Sequence, residues 1–157
     1  MVDHHPLLGF SAQVSAATQQ PYLTPGNLGL QSAFGAVNPL LFPPTVQMLL
    51  SGHVHVWQQV SFSSPHPTQF ITGFSGTQED VVPIPAQIPA DAHVAPGAVV
   101  EAFSSWVDGF GFMTLQRTGK ASWAVEVHDQ NGAVVNRCTV TGRHSKCDFD
   151  RVTGPKG

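Results

Sequence analysis

The sequence predicts an α+β protein that is predominantly β. Thirteen prolines and fifteen glycines among 157 residues favour short strands joined by many turns over a helical bundle. The final third shows the plainest strand pattern, with Phe110–Gln116, Ala121–Val127 and Ala133–Val140 each reading as a strand. Between the last two, Asp129-Gln130-Asn131-Gly132 reads as a hairpin turn, because Asn-Gly tolerates the positive φ angles such turns demand. A chain of this length can bury one core. Charged residues make up 11% of the chain and the net charge is −3, which leaves no basic field for general nucleic-acid binding. No apolar run approaches the roughly 20 residues needed to span a bilayer.

Taken in order, Met1-Val2-Asp3-His4 has no basic start, apolar core or small-residue cleavage site, so no secretory leader is expected there. Gly9 to Pro39 lacks a sustained period and carries Pro21, Pro25 and Pro39, which predicts an irregular connection with at most a helical turn near Leu30–Phe34. Thr45–Leu50 is short and mostly apolar with a β-branched Val46, and suits a buried strand. Val56–Phe62 alternates, placing Val56, Gln58, Val60 and Phe62 on one face. Ser63-Ser64-Pro65-His66-Pro67 breaks that strand and predicts an exposed His66. Gln69–Thr72 is the next strand, closed by Gly73-Phe74-Ser75-Gly76. That turn lacks the helix start and Lys of a phosphate cradle, so a tight turn is the simpler reading.

The resulting division is a histidine-bearing segment over 1–80, a Pro-rich connection over 81–98 and antiparallel strands over 99–150. Asp91-Ala92-His93 in the connection has the spacing of a metal motif but stands between prolines, without a strand before it. His128 and His144 read as solvated turn residues. Cys138 and Cys147 lie nine positions apart, close enough to bridge across a loop. They are either free thiols or a disulfide, and the disulfide is typical of an oxidising, extracytoplasmic compartment, periplasmic or secreted.

The chemistry concentrates in Ser51-Gly52-His53-Val54-His55-Val56-Trp57-Gln58. Residues two apart on a strand share a face and stand roughly 6.6 Å apart. His53 and His55 can therefore converge on metal ions separated by about 3.5–4 Å.

Gly-His-x-His after an apolar strand resembles the last metal-binding signature of the calcineurin-like metallophosphoesterases, the group that includes purple acid phosphatases. Val2-Asp3-His4-His5-Pro6-Leu7-Leu8 is similar to the preceding His-x-Pro signature, and Pro67–Thr77 to the strand and glycine turn that follow. The resemblance covers most of the chain. It implies two divalent or trivalent metal ions (Fe, Zn or Mn) that activate a hydroxide against a phosphate-ester substrate. His4 and His53 would bind one ion, His55 the other, and His5 would point elsewhere or approach substrate. It also implies a strand before His4 and, since almost nothing precedes that residue here, one that would have to lie upstream of this chain. The remaining signatures, Asp-x-His, Gly-Asp-x-x-Asp and Gly-Asn-His, do not occur in suitable context: Gly26-Asn27 is followed by Leu28, and the chain contains no Gly-Asp pair. The resemblance is thus to the C-terminal half of the family's α/β/β/α sandwich, with the N-terminal half of the same domain as the missing partner and little activity expected of this chain alone.

Three other readings compete. A non-catalytic metal- or ligand-binding β domain would use His53 and His55 as a simple chelating pair. A cupin barrel also contains His-x-His but expects a Glu soon after, where this chain has Gln58-Gln59-Val60. Histidines that merely cap a strand by hydrogen bonding complete the set.

Overall fold

The structure is a computed structural model that describes residues 1–76, 78–81, 84–88, 92–107 and 109–153. Strand β1 (Val2–Asp3) is followed by a hairpin of β2 (Ser11–Val14) and β3 (Pro21–Thr24), then by helix α1 (Leu28–Val37). The expected irregular connection is thus more ordered than its composition implies. Asn27 caps the helix, its Oδ1 accepting from Leu30 N at 2.9 Å, which satisfies a first-turn amide that otherwise has no partner. No proline interrupts the stretch from Gly26 to Asn38, so ten helical residues fit where only a turn was expected.

Strands β4 (Met48–Ser51), β5 (Trp57–Phe62) and β6 (Thr68–Thr72) come next, and a 3-10 turn at Pro85–Gln87 precedes β7 (Val100–Val107). The chain ends in β8 (Gly111–Gly119), β9 (Ser122–Asp129), β10 (Val134–Thr141), β11 (His144–Cys147) and β12 (Arg151–Thr153). Six strands form a mixed sheet in the order β1-β4-β6-β5-β7-β12, and four form an antiparallel sheet in the order β11-β10-β9-β8. The strands expected over 99–150 therefore divide, with β7 in the mixed sheet and β8 to β11 in the antiparallel one.

Alternation along β5 explains how the layers stack. Trp57 joins Phe70, Trp106, Val125, Val127 and Val140 in a core between the two sheets. Val60 and Phe62 face the other way, into a core with Leu7, Leu8, Phe42 and Phe103. All six residues of β5 are buried, because both faces of the strand are covered.

Polar side chains lace the layers together. Gln58 treats Phe10 as a strand neighbour, accepting from its N–H at 2.7 Å and donating to its carbonyl at 2.9 Å. Gln69 Oε1 accepts from Leu8 N at 3.4 Å, and Gln31 Nε2 donates to Leu7 O and Val94 O, both at 2.7 Å. On the opposite face Gln59 Nε2 donates to Ser145 Oγ at 2.7 Å.

Several sequence expectations change. His66 is fully buried rather than exposed: its Nδ1 meets Ser64 Oγ at 2.9 Å and its ring packs on Phe62. His128 is not a turn residue but lies in β9, stacked on Phe112 with ring centroids 4.7 Å apart. His144 opens β11, exposed, with Nδ1 2.8 Å from Glu101 Oε1. At the β9–β10 hairpin, positive φ falls on Gly132 and not on Asn131, while Asp129 Oδ1 accepts from Asn131 N and Ala133 N to close the loop. Cys138 and Cys147 form a disulfide across β10 and β11, where they are register partners with Cα atoms 3.9 Å apart. Among the described residues no helix is long and apolar enough to cross a membrane.

Candidate metal centre

Two parallel strands bring the histidines together. β1 pairs with β4 through Val2–Leu50 and Asp3–Ser51, so the residues leaving both strands emerge at the same, carboxyl end of the sheet. A two-residue strand, Val2–Asp3, directly precedes His4, where a strand was expected only upstream of the chain. The N-terminal ammonium donates to Met48 O at 2.9 Å and Leu50 N donates to Met1 O at 3.0 Å, which ties the first residue to the sheet. Beyond Asp3 the chain is fixed by Asn27 N, which donates to Pro6 O at 3.0 Å, and by the glutamine contacts to Leu7, Leu8 and Phe10. Gly26 permits this approach, since a Cβ there would stand 2.2 Å from Leu7 O.

His53 reaches the same place by a different device. β4 stops at Ser51, and the next residues fold tightly, with Val54 N donating to Gly52 O and Val56 N to Val54 O, both at 2.8 Å. His53 itself has φ +64°, a left-handed conformation uncommon for a residue with a Cβ. The expectation that His53 and His55 share the face of an extended strand therefore does not hold, because the backbone between them is curled.

The ligand atoms of His4, His5 and His53 all lie within 4.8 Å of one another. His53 Nδ1 is 3.2 Å from His4 Nε2, and the rings of His5 and His53 have centroids 3.9 Å apart. His55 is outside this group, and His5, expected to point elsewhere or to approach substrate, is inside it. The His55 main chain is instead clasped by Asp80: its N–H donates to Asp80 Oδ2 at 2.7 Å, and its carbonyl accepts from Asp80 N at 3.2 Å. Glu79 anchors the same segment at its other side, its Oε1 accepting from Gly109 N at 2.7 Å. Nothing in the sequence spacing marked Asp80. His93 is occupied elsewhere, with Nδ1 2.9 Å from Ala98 O, and Asp91 and Thr77 lie outside the described residues.

Burial and then the neighbouring His5 and His4 lower the His53 pKa from its ordinary 6.5, with Asp80 acting in the opposite sense. The neutral imidazole that metal binding requires is thereby favoured. The donor set suits a transition metal. In a tetrahedral ion with bonds of about 2.0–2.1 Å the nitrogens stand about 3.3–3.4 Å apart, close to the His4–His53 separation. Imidazoles are ligands for Zn, Fe, Cu and Ni, and three protein ligands leave a coordination position open to substrate.

The fold and site define a mixed β protein with a histidine triad at the carboxyl end of parallel strands. Comparison with models of known protein families, with curated proteins and with solved structures found no match.

Proposed function

We propose that this chain supplies the histidine side of a metal-dependent phosphoesterase centre, with its carboxylate ligands contributed by a further segment of the same domain. His4 and His53 hold one divalent or trivalent ion, Fe, Zn or Mn, and His5 stands close enough to complete its ligand set or to meet substrate. His55, anchored through its backbone by Asp80, is left for a second ion. The supporting observation is that two signatures 49 residues apart in sequence meet with 3.2 Å between ring nitrogens at the ends of adjacent parallel strands. When bound, such ions generate a nucleophile near neutral pH and neutralise phosphoryl charge. The chain's own part is to orient neutral imidazoles and keep the site at an open edge where an ester can enter. An apolar groove of about 770 Å³ lined by Phe34, Val37, Leu41 and Val46 gives the further segment a surface to cover. The disulfide accords with a periplasmic or secreted setting.

A second reading, a non-catalytic metal-binding β domain, is favoured by one fact: among the described residues no carboxylate joins the triad. Hydrolysis of a chromogenic phosphate monoester and diester with added Mn²⁺ or Zn²⁺ separates the two. The proteins compared are this chain, its His53→Ala variant, and a form extended upstream by a segment carrying the three absent signatures. Turnover by the extended form alone, abolished by His53→Ala and by chelation, is expected. Metal binding without turnover in every form would establish the second reading, and absence of metal binding would dismiss both.

A further inference from the structure

We infer that Asp80 is a positioning residue for the metal centre, acting through the His55 backbone to fix the curled segment that presents His53. The inference rests on the metal-binding reading above. Between the end of β4 and the start of β5 only five residues, 52–56, turn the chain, and His53 sits among them in a left-handed conformation. A residue with a Cβ held at positive φ is strained and persists only where its surroundings enforce it. Two kinds of contact do so here. Gly73 packs beneath Val54, where a Cβ would come within 2.1 Å of Val54 O, and Gly73 N donates to Val56 O at 3.1 Å. The second contact is Asp80, whose carboxylate and N–H engage the backbone N–H and carbonyl of His55, at 2.7 and 3.2 Å, from 25 residues away in sequence.

Asp80 is itself held from the other side, since its neighbour Glu79 accepts from Gly109 N. The segment is a strut between the 52–56 turn and the entry to β8. Without the Asp80 carboxylate the His55 N–H loses its acceptor, and the turn relaxes toward backbone conformations that carry the His53 imidazole away from His4. Among the described residues no hydrogen bond joins the carboxylate to the ring nitrogens of the triad, while its charge acts on the His53 ring, so placement has to be separated from charge. Groups that orient metal ligands from outside the coordination shell change affinity by about 10–100-fold when removed.

Asparagine separates placement from charge, because its side-chain oxygen can accept the same hydrogen bond without a negative charge. The experiment is titration of the metal-free chain with Co²⁺, read from the visible absorption of the bound ion, for the native protein, Asp80→Ala, Asp80→Asn and Glu79→Ala. Asp80→Ala should weaken Co²⁺ binding about 10-fold or more and alter the absorption envelope. Asp80→Asn should stay within about 3-fold of the native protein, and its His55 amide should retain slow hydrogen exchange. If Asp80→Ala does not fold, the comparison of Asp80→Asn with Asp80→Glu decides, since the glutamate keeps the charge but displaces the acceptor and should bind poorly. Native-like binding by Asp80→Ala, or equal losses for Ala and Asn, overturns the positioning role while leaving the metal centre standing. Failure of the native chain to bind Co²⁺ removes the metal centre itself.

Discussion

His66 has no exposed surface, and among the described residues its Nε2 has no hydrogen-bond partner. Burial, reinforced by the nearby Arg143 guanidinium, lowers its pKa from the ordinary 6.5. In the unfolded chain the imidazole titrates near 6.5, so below that pH the unfolded state binds more protons than the folded one. Stability should be fully present above pH 6.5 and decline as pH falls toward the depressed folded value. Urea denaturation at pH 8 and pH 5 measures the loss, and His66→Asn, which offers Ser64 a polar atom without titrating there, should flatten that part of the profile. An unchanged slope in the variant would assign the pH dependence to other groups. Sequence pattern did not reveal this residue, since a histidine between Pro65 and Pro67 looks like loop, and what buries it is distant in sequence: Arg143 donates to the carbonyls of Val46, Pro65 and Pro43 and draws that loop onto the antiparallel sheet. The triad was half legible for a related reason. His4 and His53 belong to recognisable local patterns, but His53 takes a left-handed conformation, which no alternation rule anticipates, and this decides that His5 rather than His55 is its neighbour.

Among the elements, β8, β9 and β10 were readable because each is a short alternating run bounded by turn residues. The small strand β11 was not, because four residues of mixed polarity carry almost no periodic signal. Its place is fixed by its partners: it pairs with β10 after a turn in which Gly142 has φ +61°, and the disulfide joins it to β10. Thr68 Oγ1 contacts Ser145 Oγ, and Ser145 N donates to Ser61 Oγ at 3.0 Å, so β11 also plugs into the mixed sheet. The disulfide closes a loop with a sequence separation of nine. A loop of this size restricts the unfolded chain by about 2.5 kcal/mol on the chain-entropy account. Replacing both cysteines with serine should lower unfolding free energy by about that amount, measured by urea titration, and adding a reductant to the native protein should do the same. A loss well below 1 kcal/mol would show that β11 is held by its Ser145 contacts alone.

At the scale of the whole molecule, the predominantly β class was legible but the layering was not. Alternation puts Gln58 on one face with Val56, Val60 and Phe62 but does not show what that polar side chain meets there, which is the segment Leu7–Phe10 lying over it and making it interior. The glutamine supplies a donor and an acceptor, which together satisfy both backbone polar groups of Phe10. Its register also matters to the site, because the laced segment begins only two residues after His5. Replacing Gln58 with Ala would leave both the N–H and the carbonyl of Phe10 buried without these partners, at a cost of about 1–3 kcal/mol each. Gln58→Ala should therefore lose about 2–6 kcal/mol of stability, measured by chemical denaturation. In the folded fraction it should also weaken Co²⁺ binding, since His4 and His5 hang from the released segment. The test of that coupling is Gln59→Ala, one residue along and buried on the opposite face, whose contacts run to Ser145 in the antiparallel sheet. Both variants should be destabilised, but only the Gln58 variant should bind the metal less tightly. Equal metal affinity in the two would mean that His4 and His5 are held by the β1–β4 pairing alone, without help from the glutamines beneath.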